Sequence, residues 1–155
     1  MKTQMSGTTL CSVFLSGNCL FTINIGDSRA LIVRENGEFE QLTTDHTPDE
    51  PEEEERILQE GGIVAQNGKG AFKIWNEKLV APGLHLSRSI GDNYAKTLGC
   101  SSEPEIKMKI LDENDKYLFI ATQGIYKKLT NEEICSIIKD HSSASGAAQE
   151  IMRRS

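Results

Sequence analysis

The segment Ala121-Thr-Gln-Gly-Ile-Tyr-Lys127 follows an apolar run, Tyr117-Leu-Phe-Ile-Ala121, and precedes a helix signal, so it sits at the end of a strand. A strand end of this kind is where metal-dependent hydrolases present a carboxylate to a cation. The positions suited to that task hold Gln123 and Lys127. Mg²⁺ and Mn²⁺ take oxygen ligands, usually carboxylates. A neutral amide is a poor ligand for them, and a lysine in the same shell repels the ion.

Three other groups could carry chemistry. Gly26-Asp27-Ser28-Arg29 lies at a break between strand-like runs. Asp27 there is either a cation ligand aimed by the turn or, more commonly, a turn former that hydrogen-bonds its own backbone. Asp45-His46 precedes Thr47-Pro48. A histidine beside a carboxylate can act as a general base, but no nucleophile motif lies nearby, and a loop-fixing hydrogen bond is the better reading. In Ser87-Arg-Ser-Ile-Gly-Asp92, Arg88 could hold phosphate through its planar fork, or could pair with Asp92 or a glutamate; the residues leave both open. The acidic run Glu52–Glu55 reads as a helix start facing the positive end of the helix dipole rather than as a site.

The elements that must position these groups are legible in outline. Thr8–Leu15, Cys19–Ile25, Arg29–Arg34 and Phe39–Leu42 read as strands joined by short turns, hence as an antiparallel meander. Asn36-Gly37 is the strongest hairpin signal, with both central residues expected at positive φ. A helix opens at Glu52 and ends at Gly61-Gly62. Residues 63–83 are weakly patterned, with breaks at Asn67-Gly68 and Pro82-Gly83, and read as an excursion from the core. Glu105–Leu111 alternates as a half-exposed strand, and Tyr117–Ala121, apolar throughout, reads as central to a sheet. Thr130-Asn-Glu-Glu133 is a capping box opening a helix, with a second helix from about Ser145.

The 155 residues suit one domain, 37% hydrophobic and 26% charged. The net charge of −6 argues against a basic nucleic-acid footprint. No apolar run approaches the ~20 residues of a membrane span, and the first residues lack a signal-peptide pattern. The four cysteines, Cys11, Cys19, Cys100 and Cys135, show no metal-binding spacing and read as reduced thiols of an intracellular protein, cytoplasmic or nuclear.

Taken in order, Ser6-Gly-Thr-Thr9, Ile25-Gly-Asp-Ser-Arg-Ala30, Leu42-Thr-Thr-Asp-His46 with Pro48, Glu55-Arg-Ile57, Gly61-Gly-Ile-Val64, Pro82–Asp92, Glu103-Pro-Glu-Ile106 and Phe119–Gly124 resemble the C-terminal part of the PP2C-type metal-dependent serine/threonine protein phosphatases. The resemblance implies an α+β fold: an antiparallel β-sandwich flanked by helices on both outer faces, here incomplete at both ends. It implies one partial domain over 1–155 with a flap at about 63–83. It also implies hydrolysis of phosphoserine and phosphothreonine at two Mg²⁺ or Mn²⁺ ions that activate a bridging water.

The departures fall on the chemistry. The family's Asp-Gly-His-Gly-Gly motif, a metal-binding glutamate, a phosphate-binding arginine and a C-terminal Asp-Asn motif have no counterpart here. The family's Asp-Gly-(Ile/Leu)-Trp-Asp falls on Gln123–Lys127, without either aspartate. Asp27 alone matches a metal-associated aspartate, one linked to a weaker additional ion. The expectation is a pseudophosphatase with no cofactor of its own, acting as a protein- or phosphopeptide-binding or regulatory module. The alternative is a piece of an active Mg/Mn-dependent phosphatase whose N-terminal half supplies the missing ligands. Strands absent at both ends would leave sheet edges uncovered, which points to a homodimer or a complementing chain.

Overall fold

A computed structural model describes residues 3–66 and 68–155. The chain opens with a short strand, β1 (Gly7–Thr8), followed by β2 (Leu10–Ser16), β3 (Cys19–Ile25), β4 (Arg29–Arg34) and β5 (Phe39–Gln41). These do not form one meander. β2 pairs with β3, and β4 with β5, but β3 and β4 lie in different sheets. The break at Gly26–Ser28 carries the chain from one layer to the other; Gly26, at φ +101°, permits that path. The Asn36-Gly37 hairpin also differs from expectation. Only Gly37 takes positive φ, at +90°, and the Asn36 side chain accepts from the Glu38 amide at 2.9 Å instead.

Helix α1 (Pro51–Gln59) begins one residue before the acidic run, because proline suits the first helical position. The 63–83 region is more regular than its sequence reads. β6 (Ile63–Gln66), β7 (Phe72–Trp75) and β8 (Pro82–Leu84) form a three-stranded antiparallel sheet. It packs with α1 around Ile57, Ile74, Ala95 and Cys100, a small core of its own. β9 (Ile90–Gly91) pairs with β1, and the short α2 (Asn93–Lys96) follows.

β10 (Glu105–Ile110) joins β3 to complete the sheet β10-β3-β2; β11 (Asp115–Ala121) joins β4 to complete β11-β4-β5. Leu20, Ala30, Ile32 and Leu42 fill the space between the two layers. β11 is therefore an edge strand of its described sheet, not a central one. Its apolar run reflects two different neighbours: Phe119 packs under the C-terminal helices, while Leu118 and Ile120 turn toward the gap between layers. The alternation of β10 is inverted. Ile106, Met108 and Ile110 face outward and are exposed. Lys109 turns inward to Glu40 at 2.8 Å and Asp115 at 3.4 Å, and Lys107 reaches Thr44 at 2.8 Å.

The short α3 (Gln123–Tyr126) leads into α4 (Asn131–Asp140) and α5 (Ala144–Arg154). The two long helices cover one outer face of the sandwich through Ile134, Ile137, Ile138 and Ile151 against Val33 and Phe119. Helices do not cover the other outer face among the described residues, where Phe14 is 62% exposed; both long C-terminal helices belong to the same hairpin. No helix among the described residues is long and apolar enough to cross a membrane. The capping box is formed in both directions, with the Thr130 hydroxyl accepting from the Glu133 amide at 3.2 Å and Glu133 accepting from the Thr130 amide at 2.8 Å. Thr130→Ala should lower unfolding free energy by about 1 kcal/mol, read as a lower denaturant midpoint with an unchanged slope.

Candidate functional site

The layer crossing is fixed from both sides. The Gly26 amide donates to His46 Nδ1 at 3.0 Å, and the His46 amide donates back to the Gly26 carbonyl at 3.1 Å. Asn24, fully buried, donates to the carbonyls of Gly26 and Thr44 at 3.1 and 2.9 Å. Burial, then the nearby Arg88 cation, lowers the pKa of His46. With Nδ1 accepting from a backbone amide, His46 is a neutral structural group rather than a free base. Asp45 belongs to Arg29, which grips it with two hydrogen bonds of 2.7 Å. The same guanidinium lies 4.7 Å from the Tyr126 ring centroid, and the Tyr126 hydroxyl donates to the Arg29 carbonyl at 3.2 Å. This joins the start of β4 to α3.

That junction brings Gln123 to Asp27. The Asp27 carboxyl is 4% exposed, and Gln123, the first residue of α3, donates its side-chain amide to Asp27 Oδ2. A carboxylate only accepts, so this contact fixes the amide with its NH₂ toward Asp27 and its oxygen away. His85, which directly follows β8, places Nε2 3.5 Å from the same oxygen. Lys127 ends α3, exposed, one turn beyond Gln123.

One carboxylate, an amide offering its donor side and an imidazole do not make the oxygen-rich shell that Mg²⁺ or Mn²⁺ requires. Among the described residues, no three His, Cys, Asp or Glu side chains are grouped to hold a metal. The side chains at this corner therefore do not fit a dinuclear centre.

Arg88 is not paired with Asp92. Its guanidinium donates to Glu53 at 2.6 and 3.0 Å and to the Glu103 carbonyl at 3.1 Å. Arg56 approaches the same carboxylate at 2.7 and 3.0 Å and also holds the carbonyls of Gly99 and Ser87. Glu53 thus ties α1 to the segments around residues 88 and 100. Asp92 stands at the β1–β9 corner, with φ +45° and its amide on the Ser6 carbonyl at 2.9 Å. Its carboxyl occupies the space a side chain at residue 7 would need, which makes Gly7 a steric requirement there.

Sequence reasoning missed two residues. Glu53 was hidden within an acidic run, although its spacing to Arg56 matches a helical ion pair. His85, a lone polar residue between Leu84 and Leu86, carried no signal of its neighbour.

With this geometry in place, the family is clear. The family model described as Protein phosphatase 2C matches residues 1–155. The chain belongs to that metal-dependent phosphatase family. It is similar to a probable protein phosphatase 2C 34 of Arabidopsis thaliana, 32% identical over 96% of this chain and 43% of the relative. It is also similar to a probable protein phosphatase 2C 73 of Oryza sativa subsp. japonica, 35% identical over 96% of this chain and 37% of the relative. The chain therefore spans less than half the length of these relatives. A serine-threonine phosphatase 2C from Toxoplasma gondii shares the fold with a TM-score of 0.77 at 23% identity, over 94% of this chain and 52% of that one. A C. elegans sex determining protein shares it with a TM-score of 0.74 at 22% identity, over 92% and 33%.

The buried ion cluster has a measurable signature. Burial pushes the Glu53 carboxyl up, but hydrogen bonds from Arg56 and Arg88 outweigh it and hold the pKa at about 2, below the ordinary 4.5. A depressed folded-state pKa adds stability that is complete above the unfolded value and lost as pH falls toward 2. Denaturant midpoints of wild type and Glu53→Gln should converge as pH drops from 5 toward 2. At pH 7, Arg88→Ala should cost about 3 kcal/mol by leaving the buried acid with half its partners.

Proposed function

We propose that this chain is a PP2C-type segment that does not hydrolyse phosphate esters and serves as a protein-binding, regulatory module. The observation that carries the reading is the Gln123–Asp27 contact. The strand end suited to cation coordination offers a hydrogen-bond donor to the one carboxylate beside it. A cation at Asp27 Oδ2 would have to displace that donor and would gain at most a single neutral oxygen from Gln123 in return. Lys127, the residue that caps this short helix, adds positive charge one turn along the chain.

A protein surface is the better-supported ligand than a phosphorylated residue. Both arginines with forks near this corner are already engaged, Arg29 by Asp45 and Arg88 by Glu53. One observation favours an enzymatic reading: Asp27 is present and buried at the layer crossing, and the curated relatives are described as phosphatases. On that reading, further ligands and a phosphate-binding arginine come from another segment.

Two measurements separate these readings. With millimolar Mn²⁺, neither p-nitrophenyl phosphate nor a phosphothreonine peptide should be turned over above background. Turnover that rises with Mn²⁺ would favour the enzyme. Calorimetric titration should show no micromolar Mn²⁺ site in the wild-type chain, whereas Gln123→Asp combined with Lys127→Asp should create or strengthen one. Micromolar binding by the unmodified chain would sink the ligand argument.

A further inference from the structure

Strand β5 pairs with β4 alone among the described residues. The Arg34 amide donates to the Glu38 carbonyl at 2.8 Å, and the Leu42 amide donates to the Ala30 carbonyl at 2.9 Å. Residues 38 and 42 therefore turn their backbone toward β4. Bonded and non-bonded pairs alternate along an antiparallel ladder. Glu40, across from Ile32, thus also bonds to β4, while Phe39 and Gln41, across from Val33 and Leu31, point their N–H and C=O groups away from it. Two donors and two acceptors face outward at the spacing of an extended chain.

Helix α4 forms a wall along this edge and runs antiparallel to β5. At one end Lys139 Nζ donates to the Asn36 carbonyl at 3.2 Å; at the other, Asn131 Nδ2 donates to Gln41 Oε1 at 3.1 Å. Between them lies an open groove of about 780 Å³, lined by Glu38 and Phe39 on the hairpin and by Glu132, Ser136 and Lys139 on the helix. The edge is acidic on balance. The Glu38 side chain is 66% exposed and that of Glu40 41%. Arg34 and Lys109, the cations beside them, are shared with the buried Asp115, and Glu132 adds a further carboxylate.

We propose that this groove takes an extended segment of a partner protein as an added strand beside β5, with alternating basic and apolar residues. A row of outward N–H and C=O groups is the complement of an extended polypeptide. The strand period then sets the segment's side chains. Residues across from Phe39 and Gln41 share their outer face and meet Phe39 and the wall of α4, which suits apolar side chains. Residues across from Glu38 and Glu40 meet carboxylates, which suits lysine or arginine. A second copy of β5 fits poorly. Two-fold pairing centred on Glu40 sets that residue against its own counterpart, and pairing centred on Phe39 sets Glu38 against Glu40; like charges directly opposite are destabilising. Pairing centred on Gln41 would need Thr43, which is buried, as the neighbour of Phe39. The proposal names a mode for the protein-binding role above and rests on that reading. Its test is read at β5 alone, so its failure is distinct from Mn²⁺-dependent turnover, which bears on the reading itself.

Titration with the hexapeptide acetyl-Lys-Val-Lys-Val-Lys-Val-amide, followed by amide NMR of the chain, tests it. The Phe39 and Gln41 amides should shift saturably and gain exchange protection. N-methylation of the peptide's valines, whose amides face β5 in this register, should abolish binding, whereas N-methylation of its lysines should not. The Glu-Val counterpart should not bind. Gln41→Pro removes one outward donor at a site where an edge strand tolerates proline, and should weaken binding about tenfold. Gln41→Ala keeps that donor and should bind as the wild type does. Far-UV circular dichroism checks that each variant is folded; if Gln41→Pro is not, the N-methylated peptides decide. No saturable binding, binding that survives methylation of the valines, or shifts confined to other strands would overturn the proposal. Protection of Phe39 and Gln41 that rises with protein concentration in the absence of peptide would assign the edge to a second copy and overturn it as well.

Discussion

The passage of the backbone from one sheet to the other at Gly26–Ser28 governs this molecule. Strands β3 and β4 are consecutive but belong to different layers, so the three residues between them must cross the core. Their polar backbone has to be satisfied there without water. His46 and Asn24 do this, using ring nitrogen and amide in place of a neighbouring strand. Once the crossing is fixed, Asp27 has little freedom. It is buried at the junction where β4 begins and β11 ends, and whatever follows β11 must meet it.

A second constraint orients the peripheral sheet. Glu53 is nearly buried and would be costly to ionise alone. Two guanidiniums share it, and each also takes backbone carbonyls from the segments around residues 88 and 100. The cluster thereby positions the chain leading from β8 into His85. The same residues that the sequence offers as a phosphate clamp act as a structural knot, because Glu53 saturates the fork of Arg88.

Local patterns were readable wherever the cause was local. The runs at 10–16, 19–25 and 29–34 are apolar and β-branched, and they are strands. The capping box at Thr130 announces α4 because all of its partners lie within one turn. The family's motif order was equally plain. What a linear reading did not supply was partnership across distance. It treated four successive strands as one meander, since turn residues at 26–28 do not reveal a change of layer. It placed Tyr117–Ala121 at the centre of a sheet, although two sets of neighbours account for the apolar character of both faces. It took Glu53 for a solvated helix start because Arg88 lies 35 residues away. His85 was invisible for the same reason: its neighbour Asp27 is set by the layer crossing, not by anything near residue 85.

The identity of residue 123 follows from the same geometry. Two carboxylates at this separation, without a cation between them, repel, and one must take up a proton or turn away. A glutamine removes that conflict, because its amide donates to Asp27 and adds no charge. The end of β11 is then docked on the layer crossing by a hydrogen bond between side chains, and Arg29 reinforces the junction through Asp45 and the face of Tyr126. An aspartate at 123 would make the corner depend on a bound ion; glutamine lets it close with this chain's own atoms. The docking of α3 on the layer crossing thus needs only this chain's own side chains, the Gln123 amide on Asp27 and the Arg29 fork on Asp45.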